Sequence, residues 1–478
     1  MSKIQKVIEV IFITDYTIKN RTLLQIVAAL NSRQLTAEEL VRFYLERIRQ
    51  YNNRYNAVIS LNPDAIALAH LSDQKRDSGG TIGKLEGIPF IVKDSIDVAG
   101  MPTSFGCVLF QDYYPVEDAE IIRKLRAEGA IIIGKANLTE FAIGGMGNSS
   151  LGGQTVNPFD LTRTAGGSSS GSAVSVACDF AAAAVGTDTV NSLRSPSSAV
   201  SVVGFRATWG LVDVRGCLPT KKPQDICGTI ARTVADEAFL FDIIGEAQEE
   251  TANYERIQEF NGMAFGLLTN FIDTREPEVS AVVQNAVTQI IAKGGKVIEF
   301  TMPEIDTAVL SRDFDLGELG VCDITNRHLV PTGQSLEKVI SSGVVCPEVQ
   351  ERLSQAVEKR CSNEQERIAC RLKLRDAFVE RLLQKMDAQG ISALLYPHQS
   401  SPVAKISGKQ NGRNGILAAV TGFPAIVIPG GFTSPDENAP LGIPVGVELL
   451  TRPNCEKQLF SLADCLENIL RARKIPIM

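Results

Sequence analysis

The densest cluster of hydroxyl side chains in the chain is the glycine- and serine-rich stretch AGGSSSGS at residues 165–172. Such a stretch on its own is typical of a flexible linker. Here it lies between the apolar segment at 130–137 and a long run rich in alanine and valine, so a linker would place unpaired backbone polar groups inside a core. It also lacks the GxxxxGK[ST] and GxGxxG patterns of phosphate-binding loops. Nucleophilic catalysis by a serine hydroxyl is the function that remains.

A serine needs a neighbouring base to become a nucleophile, and histidine is the usual one. All three histidines lie far in sequence from the glycine- and serine-rich motifs: His70, His328 and His398. Of these, His398 follows the strand-like segment SALLYP, and both a pocket histidine and a structural loop histidine stay open for it. A buried, neutral lysine can also accept a proton, and Lys93 ends the apolar segment GIPFIVKD. The competing interpretation of Lys93 is an ion pair with Asp94 or another carboxylate.

The composition of the 478-residue chain argues against several classes of protein. Lysine and arginine number 48 and aspartate and glutamate 55, so the formal charge is −7, whereas nonspecific nucleic-acid binding needs a basic surface. No apolar segment reaches the roughly 18–20 residues of a membrane span, and no signal-peptide cleavage site is evident. Ten dispersed cysteines without a CxxC pair predict reduced thiols and no metal site. We expect a cytoplasmic globular protein that needs no metal and no other cofactor.

Alternating amphipathic and apolar segments predict an α/β fold. Helices are expected over 36–52, where Thr36 and Glu39 form a capping box, and over 118–129. Short apolar segments such as 130–137 predict buried strands, and the alternation of helices and strands resumes after residue 264. This order favours a mixed, twisted central β-sheet that is covered by helices on both faces.

The chain is expected to form one large domain. No internal repeat or low-complexity linker divides it, and residues 303–390 are helical and more polar, without a clear strand. We therefore predict a domain over 22–478 with a largely helical insertion at about 303–390. Residues 1–21 are predicted to be an N-terminal extension that forms an edge strand or docks on the domain.

Several motifs, in the expected order, resemble those of the amidase signature family. They are GIPFIVKD (87–94), GKANLTEFA (134–142), NPFDLTRTAGGSSSG (157–171), GTDTVNSLRSP (186–196), GFPAIVIPGGF (422–432) and GIPVGVELLTRP (442–453). The resemblance extends from about residue 22 to residue 472. It implies the amidase signature fold and an amidohydrolase that cleaves a carboxamide C–N bond through a serine acyl-enzyme.

The resemblance also implies a Ser–cis-Ser–Lys triad. Ser192 would be the nucleophile, Lys93 the base, and Ser168 the bridging serine behind a cis peptide bond, where Gly167 reduces crowding. The backbone N–H groups of an oxyanion hole would come from Thr189, Val190, Asn191 and Ser192.

Further residues are expected to support this site. Asp188 and Arg194 flank the nucleophile and are predicted to pair and to fix its turn. The family lines its acyl pocket at positions that correspond here to Met146, Gly147 and Asn148.

One departure from the family pattern lies next to the nucleophile. Val190 and Asn191 stand where the family has two glycines. Asparagine tolerates left-handed backbone angles better than most residues, so we expect Asn191 to replace a glycine in that conformation. Val190 is expected to narrow the oxyanion hole or to alter the fit of the substrate.

Three functions are consistent with these motifs. The first is a stand-alone amidase acting on a small amide, with no nucleic-acid or membrane partner and with a homodimer left open. The second is the glutaminase subunit of a tRNA-dependent amidotransferase, which would need partner subunits. The third is a non-catalytic, amidase-like binding module. The retained Lys93, Ser168 and Ser192 favour an enzyme, and the inserted segment at 303–390 favours the stand-alone amidase.

Overall fold

The computed structural model describes residues 18–218, 224–246, 251–316, 319, 322, 325, 329–359 and 363–478. The extension predicted for residues 1–21 falls almost entirely on residues 1–17, which lie outside the described part of the chain.

The described secondary structure alternates between helices and strands, as predicted. The helices are α1 Leu23–Asn31, α2 Ala37–Tyr55, α3 Ala65–Asp77, α4 Glu120–Ala127, α5 Ser170–Ala177, α6 Arg194–Ala199, α7 Val234–Ile244, α8 Pro277–Ala292, α9 Thr307–Val309, α10 Leu336–Ser341, α11 Pro347–Glu358, α12 Glu364–Ala388, α13 Ile416–Thr421 and α14 Glu456–Leu470. The strands are β1 Val58–Leu61, β2 Pro89–Lys93, β3 Ile131–Ala136, β4 Asn148–Ser149, β5 Gly153–Gln154, β6 Val156–Asn157, β7 Asp160–Thr164, β8 Ala183–Asp188, β9 Val203–Arg206, β10 Ile226–Ala231, β11 Ala264–Leu267, β12 Lys296–Glu299, β13 Ile391–Pro397, β14 Ala425–Phe432 and β15 Pro444–Leu450.

The capping box predicted for α2 is present. The Thr36 side chain accepts a hydrogen bond from the Glu39 N–H, and the Glu39 carboxylate accepts one from the Thr36 N–H. These two bonds satisfy donors that the first turn of a helix otherwise leaves free. The buried face of α2 includes Leu40, Tyr44 and Ile48, so the amphipathic pattern of the sequence sets how this helix packs.

Eleven of the described strands form one mixed sheet, in the order β1-β3-β2-β8-β10-β9-β14-β15-β13-β11-β12. Strand β2 pairs in parallel with both β3 and β8, and β8 pairs antiparallel with β10. In strands β2, β3, β8, β10 and β15 every residue is buried. Burial on both faces requires helices above and below the sheet, so the predicted α/β architecture is confirmed.

The sheet register brings the ends of β2 and β8 together. Val92 is paired with Val185 across these two parallel strands, so Lys93, the last residue of β2, lies beside the end of β8. Parallel strands present their carboxyl ends at the same edge of a sheet. The residues that follow both strands therefore converge at one place.

Between β12 and β13, the described residues form helices and contribute no strand to the sheet. Residues of α10 and α11 pack with the aromatic side chains of Phe105, Phe110 and Phe141 in a separate apolar cluster. The bounds of the predicted insertion at about 303–390 stay a prediction. None of the described helices has the length and apolar character needed to cross a membrane.

Candidate active site

Lys93 is completely buried at the end of β2 and contacts two hydroxyl groups. Its Nζ atom donates to Ser168 Oγ and to Thr187 Oγ1, each at 2.7 Å. Burial lowers the pKa of Lys93 to about 7, although the carboxylates of Asp188 and Asp225 act in the opposite direction. A substantial fraction of this lysine is therefore neutral near pH 7 and able to accept a proton.

The neighbouring Asp94 is paired with a different lysine. Its Oδ1 atom lies 3.0 Å from Nζ of the buried Lys135, and its Oδ2 atom accepts a hydrogen bond of 3.0 Å from the Ser104 N–H. The ion pair with Asp94 that was the competing interpretation of Lys93 is thus wrong, because Lys135 takes that place.

The Ser168 hydroxyl is presented by a cis peptide bond between Gly167 and Ser168. The Ser168 carbonyl accepts a hydrogen bond of 3.1 Å from the Thr139 N–H. A Cβ atom on Gly167 would lie 2.7 Å from Thr139 Oγ1 and 3.1 Å from the carbonyl carbon of Gly145. A larger residue would overlap these atoms, so glycine at 167 serves the close packing of this turn.

The turn that carries Ser192 lies directly against the Ser168 turn. The Ser192 carbonyl accepts a hydrogen bond of 3.1 Å from the Ser169 N–H, and Ser192 is only 6% exposed. None of the described residues accepts a hydrogen bond from the backbone N–H groups of Val190, Asn191 or Ser192. These groups are available to a ligand that carries negative charge.

Of the two residues that depart from the family pattern, Asn191 differs from expectation. Neither Val190 nor Asn191 has a positive φ, so the prediction that Asn191 replaces a glycine in the left-handed region is wrong. The turn is built with ordinary backbone angles that any residue can adopt. The Val190 side chain is partly buried and packs against the apolar cluster that contains Ile416 and Leu417.

Asp188 contacts the turn that carries Ser192, and its predicted pair with Arg194 is present. Asp188 Oδ2 lies 3.1 Å from Arg194 Nε and accepts a second bond of 3.1 Å from the Leu193 N–H. Asp188 Oδ1 lies 2.9 Å from Arg206 Nη1. Although burial disfavours the charge, the two guanidinium groups hold the pKa of this carboxyl well below its usual range.

Sequence reasoning missed the residues that extend this network. Glu448 contacts Arg194 on the side away from Asp188, and it accepts a hydrogen bond of 2.8 Å from the Tyr396 hydroxyl. Its other oxygen contacts Nδ1 of His398, which is completely buried. His398 therefore has a structural partner. A charged residue in the otherwise apolar strand β15 was the signal for Glu448, as Arg206 at the end of β9 was for the other side.

The three predicted pocket residues differ in how deeply they are buried. Met146 and Gly147 are buried, and the Gly147 N–H donates to Thr139 Oγ1 at 2.9 Å. The Thr139 N–H also donates to the Ser168 carbonyl, so this stretch lies next to Ser168. Asn148 is exposed at the start of β4. In the described part of the chain, no group of three or more histidine, cysteine, aspartate or glutamate side chains is arranged to hold a metal ion.

Comparison with known proteins finds relatives along nearly the whole chain. Residues 39–460 match the family model described as Amidase. A Glutamyl-tRNA(Gln) amidotransferase subunit from Fusobacterium nucleatum is 30% identical over 486 aligned residues, which cover 93% of this chain and 96% of that protein. Native peptide amidase from Stenotrophomonas maltophilia superposes with a TM-score of 0.82 and 29% identity, covering 96% of this chain and 99% of that one. An amidase family protein from Bacillus anthracis superposes with a TM-score of 0.84 and 27% identity, covering 98% of this chain and 95% of that one.

Proposed function

The chain belongs to the amidase signature family of amide-bond hydrolases, and from that premise we propose that it cleaves a small-molecule amide through an acyl-enzyme on Ser192. The observation that carries the proposal is the position of the buried Lys93 Nζ atom, 2.7 Å from Ser168 Oγ. The Ser168 turn in turn lies against the Ser192 turn through the Ser169–Ser192 backbone hydrogen bond.

The first step is transfer of a proton away from Ser192. A serine hydroxyl is a weak nucleophile until an adjacent base removes its proton. Neutral Lys93 accepts the proton from Ser168, and Ser168 takes the Ser192 proton at the same time. Because burial lowers the pKa of Lys93 to about 7, a neutral base is present at physiological pH.

The second step is attack of Ser192 Oγ on the carbonyl carbon of the amide. This attack forms a tetrahedral intermediate with a negative charge on oxygen. The free N–H groups of Val190, Asn191 and Ser192 supply donors for that charge, with Thr189 at the start of the same turn. One well-placed donor of this kind contributes roughly 3–4 kcal/mol to stabilising the transition state.

The remaining steps return the proton and release the product. Protonated Lys93 gives the proton back through Ser168 to the leaving nitrogen, so the C–N bond breaks and an amine or ammonia departs. Water then attacks the acyl-enzyme, and Lys93 and Ser168 again accept its proton and return it to Ser192 Oγ as the bond between Ser192 and the acyl group breaks and the carboxylic acid leaves. The sequence of steps needs no metal or organic cofactor, because a lysine, two serines and backbone amides carry it.

The proposal is tested by measuring ammonia or amine release from a panel of small amides. We expect turnover by the wild-type protein and loss of turnover in the Ser192→Ala and Lys93→Ala variants, each checked for an unchanged fold by circular dichroism. If the wild-type protein turns over none of the amides and fluorophosphonate does not label Ser192, the proposal is wrong.

A second candidate is the glutaminase subunit of a tRNA-dependent amidotransferase. The observation that favours it is the 30% identity to a Glutamyl-tRNA(Gln) amidotransferase subunit over nearly the full length of both proteins. That function requires partner subunits that receive the ammonia. Affinity purification from the native host separates the two candidates: stoichiometric partner subunits favour the glutaminase, whereas an active protein without partners favours the amidase.

A further inference from the structure

The Arg413 guanidinium lies beside the glycine turn that precedes Met146. A Cβ atom on Gly145 would lie 2.7 Å from Arg413 Nη2 and 3.0 Å from Arg413 Cζ, so glycine leaves the space that the guanidinium occupies. The side chain is partly buried. None of the described residues accepts a hydrogen bond from this guanidinium or forms an ion pair with it. An arginine has five N–H donors, and here they face the turn without an acceptor from the described part of the protein.

The backbone at Arg413 is held on both sides. Arg413 forms an isolated β-bridge with Gln399. The Asn414 side chain donates to the carbonyls of Phe271 and Pro397 at 2.9 Å and 2.8 Å, and the Gly415 carbonyl accepts a bond of 3.1 Å from Arg194. A guanidinium on such a support loses less conformational entropy when it binds a ligand than one on a mobile loop.

The segment that carries Arg413 also adjoins both serine turns. Gly145, which contacts the guanidinium, packs against Gly167, the residue before Ser168. On the other side, a Cβ atom on Gly415 would lie 3.1 Å from Cβ of Asn191, the residue before Ser192. Arg413 is therefore connected through Gly145 to the Ser168 turn and through Gly415 to the Ser192 turn.

Arg413 and the charged side chains near it carry a net positive charge. Arg352 is already paired with Glu348, at 3.0 Å between Nη2 and Oε1. Burial lowers the pKa of Arg413, Arg352 acts in the same direction, and Glu348 opposes them. An arginine nevertheless stays protonated at any physiological pH. A partly desolvated cation that has no partner among the described residues gains most from an anion that replaces the lost water.

We propose, on the basis of the function proposed above, that Arg413 binds a carboxylate of the substrate, so that the amides hydrolysed by this enzyme carry a free carboxylate group. The planar guanidinium matches a carboxylate with two parallel N–H···O bonds. Removing one partner of such a pair weakens binding by about 10- to 100-fold.

The test compares an anionic amide with its neutral counterpart. The probes are glutaramic acid, the monoamide of a five-carbon dicarboxylic acid, and its methyl ester. The measured quantity is the ratio of kcat/KM for the acid to kcat/KM for the ester. We expect the ratio to fall by about tenfold or more in Arg413→Met and by less in Arg413→Lys, which keeps the charge without the fork. Arg275→Met is the matched control, because Arg275 is 86% exposed and pairs locally with Asp273; its ratio should stay at the wild-type value.

Two results overturn the proposal. One is a ratio that Arg413→Met leaves unchanged, and the other is a wild-type enzyme that prefers the ester. If Arg413→Met does not fold, the ratio in Arg413→Lys is used instead. A lower ratio than in the wild type supports the proposal, and an unchanged ratio overturns it. If the wild-type protein hydrolyses neither probe, the amide panel and fluorophosphonate labelling described above decide the proposed function separately. Calorimetric titration of glutarate into Ser192→Ala, with and without Arg413→Met, then tests the anion site alone: binding weakened by about tenfold or more supports it, and equal or absent binding overturns it.

Discussion

Lys93 and Ser168 form a buried pair, with 2.7 Å between the lysine Nζ atom and the serine Oγ atom. The next residue, Asp94, forms an ion pair with Lys135 instead. Asp94 lies in the turn that follows β2, and its carboxylate faces Lys135, so these adjacent residues have different partners. The carboxylate that would hold Lys93 protonated is thereby neutralised by another cation, which leaves a buried lysine among hydroxyl groups.

The first prediction concerns the pH dependence of activity. The proposed base is the unprotonated form of Lys93, and burial lowers its pKa from an ordinary value near 10.4 to about 7. The neutral fraction grows as the pH rises, so kcat/KM should increase through about pH 7 and level off above it. Initial rates with a neutral amide at fixed ionic strength measure this profile. A rate that is flat or falls across this range contradicts the assignment of Lys93.

The second prediction concerns charge without basicity at the same position. Lys93→Arg keeps a cation, but a guanidinium does not release its proton at any accessible pH. We expect kcat/KM to fall by about 10²- to 10⁴-fold, the usual contribution of a general base. The exposed Lys409 offers a control with the same chemical change, Lys409→Arg, which should keep wild-type activity. An active Lys93→Arg enzyme would show that a fixed positive charge is sufficient.

The third prediction concerns Thr187 as a positioning residue. Its hydroxyl accepts a hydrogen bond of 2.7 Å from Lys93 Nζ, and an acceptor of this kind stabilises the protonated lysine. In Thr187→Val we expect kcat/KM to fall by about tenfold and the apparent pKa of the profile to move to lower pH. Thr187→Ser should restore both values. A lower rate with no shift of the profile would indicate that Thr187 only supports packing.

The fourth prediction concerns the stability supplied by Asp188. Asp188→Asn removes the carboxylate that faces both Arg194 and Arg206. Two buried guanidinium groups would then lose much of their compensation, and we expect the free energy of unfolding in urea to drop by about 3–5 kcal/mol. The control is Asp213→Asn, whose partner Arg215 is 74% exposed; a surface pair contributes about 1 kcal/mol or less. Equal losses in the two variants would contradict the structural role of the buried network.

The parts of the site that the sequence predicts are those held in short motifs. The continuous apolar segment before Lys93 predicts a buried strand that ends at this lysine. The glycines next to Ser168 predict a turn there. Asp188 and Arg194 are only six residues apart, so their pairing follows from local geometry. The cis bond between Gly167 and Ser168 was expected from the family motif and is present.

The rest of the site depends on contacts between distant parts of the chain. Glu448 reaches Arg194 across 254 residues of sequence, and a single sequence does not show which buried charges pair. The left-handed conformation expected for Asn191 was wrong because a preference of the residue type does not fix the angles of a particular turn. The approach of Arg413 to Gly145 likewise arises only when the sheet is complete, since the two residues lie on separate loops.

The central claim, an acyl-enzyme on Ser192, is tested most directly by trapping the covalent adduct. The protein is treated with a fluorophosphonate probe, and its intact mass and tryptic peptides are measured by mass spectrometry. We predict one adduct per chain, located on Ser192 and missing in Ser192→Ala, with slower labelling in Lys93→Arg. The account would be contradicted by an adduct on a different serine. It would also be contradicted if the Ser192→Ala variant were labelled at the wild-type rate.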